Sequence, residues 1–126
     1  MLFNCLAVGA GGFVGSVFRY LIGLIPVLGR GTIPFQTLLV NVAGAVFIGM
    51  IVKYTQCCGA LSEQTMLFLK VGVCGGFTTF STFSLEAAGM IESGRWLLML
   101  CYAAVSVALC LSGIFAGQWL VLKFSS

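Results

Sequence analysis

The residues with the most chemistry to offer lie in one stretch, Gly72-Val73-Cys74-Gly75-Gly76-Phe77-Thr78-Thr79-Phe80-Ser81-Thr82-Phe83-Ser84, where three glycines accompany five hydroxyl side chains and three phenylalanines. Gly75-Gly76 weakens a helix and the β-branched pair Thr78-Thr79 does not favour immediate recovery, so a break is expected over 75–79. A broken helix frees backbone groups: its carbonyls suit cations, and the N-terminus of the resumed half suits anions. Phe80 and Phe83, three residues apart, share one face of the resumed helix. Aromatic rings have a positive edge, so two rings turned edge-on can solvate an anion without gripping it as Lys or Arg would. The competing reading keeps Gly75-Gly76 for close packing, turns the hydroxyls back on their own helix, and leaves the rings as lipid or core contacts.

Other polar groups sit inside apolar runs at helical spacing. Thr37 and Asn41 are four apart, as are Tyr102, Ser106 and Cys110, which gives donor groups on single faces. Each line can equally serve as glue between helices. Glu86, one turn past Phe83, and Arg19 are ionisable residues within apolar segments and so are functional candidates. Arg19 and Lys70 have the alternative of snorkelling to the interface. The chain has no histidine, which excludes imidazole chemistry near neutral pH and a His-containing metal site. It has no GxxxxGK[ST] loop for nucleotide. Its six cysteines, Cys5, Cys57, Cys58, Cys74, Cys101 and Cys110, form no Cys-x-x-Cys pair, and most fall in apolar runs where a free thiol behaves as a small hydrophobe. No enzyme activity and no nucleotide or nucleic-acid partner is expected.

The elements that must position these groups are membrane helices. Of 126 residues 60% are hydrophobic and 7% charged, with a mean hydropathy of +1.15, against about 25% charged in soluble domains. A spanning helix needs about 20 apolar residues, so the length accommodates four spans, expected at 3–28, 34–54, 64–90 and 96–122. Gly29, Arg30, Gly31 and Thr32 make the first turn, 56–62 the second, and Glu92, Ser93, Gly94 and Arg95 the third. One all-α membrane domain over 1–126 follows. The first run lacks a basic leader and a small-residue cleavage site, so it reads as a retained helix rather than a signal peptide.

Small residues four apart let helix backbones approach closely in lipid. Gly11 with Gly15, Gly12 with Ser16, the Gly15-Arg19-Gly23 stripe, Asn41 with Gly44 and Ala45, and Gly113 with Gly117 supply such faces. Helices packed this tightly leave little interior for an aqueous lumen, so the pathway lies between subunits or is lined narrowly by side chains. Oligomerisation is the economical inference. An even number of spans puts Lys53, Lys70 and Lys123 on one side and Arg19, Arg30 and Arg95 on the other. Orientation normally follows an excess of Lys and Arg in cytoplasmic loops. Near-equal counts choose no topology: either the count is too crude for so few charges, or the chain inserts both ways round and assembles antiparallel.

These residues resemble the Fluc (CrcB) family of fluoride channels over essentially the whole chain. The likeness runs through Gly11-Gly12-Phe13-Val14-Gly15 to Arg19-Tyr20, then Gly31-Thr32, Asn41 and Gly44, and above all Gly75-Gly76-Phe77-Thr78-Thr79-Phe80-Ser81-Thr82-Phe83-Ser84-x-Glu86. The resemblance implies a dual-topology antiparallel homodimer in the bacterial inner membrane, with two pores along the subunit interface and passive export of cytoplasmic fluoride. It makes Phe80 and Phe83 the phenylalanine box, Asn41 the pore asparagine, and Thr37, Ser81, Thr82, Tyr102 and Ser106 the polar track, with Arg19 in a vestibule. It makes the carbonyls of Gly75 and Thr78 ligands of a central structural sodium ion. Cys110 stands where the family often has a hydroxyl. Two rivals stay open: a proton-coupled four-span exporter with Glu86 as relay, and a non-transporting scaffold. Small multidrug exporters carry their carboxylate in the first span, where this chain has none.

Overall fold

Without water to bond the backbone, an apolar chain satisfies its peptide groups within helices, and all regular structure among the described residues is helical. The computed structural model describes residues 1–26, 31–59 and 61–125. Two helices come first, α1 (Leu2–Gly23) and α2 (Phe35–Cys57). The third span is composite: α3 (Glu63–Met66), a π-helical stretch (Leu67–Cys74), α4 (Gly75–Phe77) and, beyond a break, α5 (Phe80–Glu92). The last helix is α6 (Trp96–Phe124). Together they make four helical segments long and apolar enough to cross a membrane.

Local sequence explains the ends. Helix α1 stops at Gly23, short of the expected residue 28, and the N–H groups of Leu24 and Ile25 tighten onto Leu21 and Ile22 at 3.2 and 3.1 Å. Pro26 follows, and its missing N–H and bulky ring cannot prolong a helix. The turn residues Gly29 and Arg30 lie outside the described residues. Helix α5 ends on Gly94, whose φ of +72° lets Arg95 N–H reach back to the Met90 carbonyl at 2.8 Å.

The break is where the sequence suggests, but its cause differs. Gly75 is helical (φ −64°, ψ −38°), and Gly75-Gly76-Phe77 continues the helix. The extended residues are Thr78 (φ −77°, ψ 157°) and Thr79 (φ −150°, ψ 113°), a conformation that β-branched side chains accept readily. Gly76 is a packing device instead, since a Cβ there would meet Gly12, whereas one on Gly75 would meet nothing.

Helix α1 lies against the first half of the third span, and α2 lies against α6. Both contacts bring backbone onto backbone. A Cβ on Gly15 would collide with the Val73 carbonyl, and one on Gly117 with the Val46 carbonyl. Dispersion over such close surfaces replaces the hydrophobic drive that lipid does not provide. At one end of the bundle Asn4 Nδ2 donates to Glu63 at 2.8 Å, and Cys58 and Ser125 are 3.2 Å apart. At the other, Gln36 Nε2 donates to the carbonyls of Gly23 and Ile25, at 3.1 and 3.2 Å. Within one chain only 11–28% of each span's most apolar window is buried, so most helix surface is left for lipid or a second copy.

Candidate functional site

The break is held from the side by α2. Asn41 Oδ1 accepts the Thr79 N–H at 2.8 Å, and Asn41 Nδ2 donates to the Thr79 carbonyl at 3.1 Å. Thr79 then starts α5: its Oγ1 accepts the Thr82 N–H at 3.2 Å, as an N-cap threonine does, donates to Thr82 Oγ1 at 3.0 Å, and lies 3.3 Å from Ser81 Oγ. On the other flank, Thr78 donates both its N–H and its hydroxyl to the Cys74 carbonyl at 2.9 Å. The Thr78 methyl seats over Gly44, where any Cβ would collide with it. Small residues on α2 therefore let the broken segment approach closely enough to be clamped.

Beyond the break the rings come together. Phe80 and Phe83 have centroids 5.5 Å apart at 33°, and Phe83 and Tyr102 of α6 are 5.0 Å apart at 41°. Phe80 and Phe83 border a groove of about 370 Å³ with Asn41, Thr78, Thr79 and Ser106. Among the described residues no charged side chain lines it. Ser106 is 8% exposed, and its hydroxyl has no hydrogen-bond partner among the described residues. A buried hydroxyl in that state is a donor available to whatever enters. Phe80 is 79% exposed and stands at the groove's open side.

A second polar cluster joins three helices. Glu86 accepts from Thr37 at 2.6 Å and from Tyr102 at 2.7 Å, two short bonds of the hydroxyl-to-carboxylate kind. Thr37 and Tyr102 are 5% and 2% exposed. Glu86 also borders a cleft with Thr32, Pro34 and Arg95 near the turn that follows α5. Arg19 borders a smaller recess of about 140 Å³ with Thr37, Thr79 and Thr82, and its Nε is buried without a hydrogen-bond partner among the described residues.

Asn41, Phe80, Phe83 and Ser106 thus share one groove, while Thr37, Glu86 and Tyr102 form a bonded triad and Arg19 and Thr82 share a recess. Gly75 and Ser81 are exposed and border none of these cavities. Cys110 is half-buried and borders the groove below Ser106. Thr79 is the residue that site reasoning from sequence missed. It borders both the groove and the recess. Its signal was present as a hydroxyl directly ahead of a resumed helix.

The model of one protein family, described as CrcB-like protein, Camphor Resistance (CrcB), matches residues 6–118. Among curated proteins, the "Fluoride-specific ion channel FluC" of Chlorobaculum tepidum is 45% identical over 118 residues, covering 93% of each chain. The protein of that name from Rhizobium meliloti is 43% identical over 115 residues, with 90% of this chain and 92% of its own covered. The one from Ruminiclostridium cellulolyticum is 36% identical over 126 residues, 99% of this chain and 97% of its own.

Proposed function

The chain belongs to the CrcB family, and from that premise we propose that it is a passive, fluoride-selective channel of the bacterial inner membrane, with the whole chain acting as one channel domain. The observation that carries this reading is the groove: two rings tilted against each other, an amide and a buried hydroxyl without a partner, with no charged side chain lining it among the described residues. Such a site solvates an anion through ring edges and weak donors, so the ion can leave as easily as it enters. Relatives named as fluoride-specific ion channels supply the anion's identity. Ser106 offers its hydroxyl to the groove, Thr82 leads on to the recess of the vestibule residue Arg19, and Glu86 holds Thr37 and Tyr102 in place by accepting both their hydroxyls.

The break supports assembly with a second copy. Backbone freed at membrane depth is tolerated only under protein cover or beside a water-filled cavity, yet Gly75, Phe80 and Ser81 are exposed in the single chain. A two-fold partner would cover this face and line two pores with residues of both chains. Counted by span parity, Lys53, Lys70 and Lys123 fall toward one side and Arg19, Arg30 and Arg95 toward the other, so the charges give neither orientation the advantage, and the dimer is antiparallel. A single cysteine kept at Cys57, with the other five replaced, should therefore be labelled by an impermeant thiol reagent from both sides of the membrane. Labelling from one side only would exclude dual topology.

Export needs no fuel. Hydrogen fluoride is a neutral weak acid that crosses lipid and dissociates in a neutral cytoplasm, and an inside-negative potential worth about 2.3 kcal/mol per charge per 100 mV drives the anion out. In planar bilayers the zero-current voltage should follow the fluoride gradient and ignore an imposed pH gradient. A voltage that moves with pH would favour the proton-coupled exporter, with Glu86 as its relay. A structural sodium ion at the dimer centre, on the Gly75 and Thr78 carbonyls, completes the proposal.

A further inference from the structure

We propose that Asn41 and Thr79 form a latch that holds the third span open, so that Asn41 is a positioning residue for the backbone of the break as well as a wall of the groove. In an unbroken α-helix the Thr79 N–H would bond the Gly75 carbonyl and the Thr82 N–H would bond the Thr78 carbonyl. Both donors are diverted. Asn41 Oδ1 takes the first at 2.8 Å and Thr79 Oγ1 takes the second at 3.2 Å. The two carbonyls thereby left without helical donors are those of Gly75 and Thr78.

The latch is two-sided because Asn41 Nδ2 also donates to the Thr79 carbonyl, at 3.1 Å. One side chain of α2 thus pairs with both polar backbone atoms of a residue in the third span, as a neighbouring strand would. Without it, the Thr79 N–H and carbonyl would stand unpaired in an apolar setting, and the cheapest repair would be to wind helix through 78–79 and cover the free carbonyls again. One amide hydrogen of Asn41 is committed to Thr79, and the other is left for the groove. Thr79 borders both the groove of Phe80 and Phe83 and the recess of Arg19. The latch therefore ties the geometry of the anion path to that of the backbone oxygens.

Two measurements test it, and only the second rests on the channel and sodium reading. Amide hydrogen exchange in isotope-labelled full-length protein should find the Thr79 N–H protected. Asn41→Ala should speed its exchange by about tenfold or more, the loss of one buried hydrogen bond of about 1.4 kcal/mol. Asn41→Asp should keep it protected, because a carboxylate oxygen still accepts, although that variant blocks the groove. The sodium concentration giving half-maximal fluoride flux should rise about fivefold in Thr79→Val, which loses the cap. Thr79→Ser, which keeps the hydroxyl, should hold the parent requirement. Equal Thr79 exchange in the parent and Asn41→Ala, or a Thr79→Val requirement equal to the parent's, would overturn the latch. If parent flux ignores sodium, the cation site fails by itself and the exchange result still decides the latch.

Discussion

Replacing Phe80 or Phe83 by isoleucine is expected to lower fluoride flux by about fivefold, on the basis of an aromatic contribution of about 1 kcal/mol at each ring. Isoleucine keeps the position apolar and roughly filled. It lacks the positive ring edge, the property by which an uncharged groove attracts an anion. The two sites should differ in their side effects. Phe83 packs 5.0 Å from Tyr102 and is half-buried, so its replacement should also cost some stability. Phe80 is 79% exposed within the chain, so Phe80→Ile should leave the folded subunit intact and read mainly on flux. Asn41→Asp should be worse than either, since an acceptor that repels anions replaces the amide donor. Flux from purified variants, beside cross-linking to check the dimer, measures both effects. Normal conduction by both isoleucine variants would reduce the rings to packing.

Withdrawing sodium is expected to abolish fluoride flux, and returning it to restore flux. The carbonyls of Gly75 and Thr78 have lost their helical donors to Asn41 and Thr79, and hard oxygen ligands suit a cation of this kind. Two chains about a two-fold axis would supply four such oxygens. The measurement replaces sodium on both sides by a large organic cation and follows fluoride efflux. Full efflux in rigorously sodium-free solution would reject the site. In the proposed two-fold assembly the ion would lie between the two pores rather than in them, so sodium itself should not be carried.

Four apolar runs and the Gly75-to-Ser84 stretch were readable as membrane helices and a break, because hydropathy and helix-weakening residues are properties of short windows. The reason for the break was not readable. Gly75 and Gly76 suggest weakness, yet Gly76 is needed bare against Gly12, and it is Thr78 and Thr79 that leave the helix. That distinction depends on which neighbour each glycine meets, and a single sequence does not contain it. Asn41 was readable as a candidate from its spacing with Thr37, but its grip on Thr79 joins residues 38 positions apart. The same holds for Glu86, whose bonds to Thr37 and Tyr102 span 49 and 16 positions. Thr79 was one hydroxyl among five, and although its place ahead of the resumed helix suits a cap, it is the diverted N–H of Thr82 that singles it out from the others. The early end of α1 was within reach of sequence, since Pro26 stands inside the run read as helix to 28.

The central claim is that this chain alone makes a selective passive path for fluoride. Liposomes containing only the purified protein, loaded with equal fluoride and chloride and given a potassium-carried counter-current, test it most directly. The account predicts rapid loss of fluoride with chloride retained, at a rate set by the voltage and indifferent to a pH gradient. Retention of both ions by folded, inserted protein, or release of chloride alongside fluoride, would contradict it.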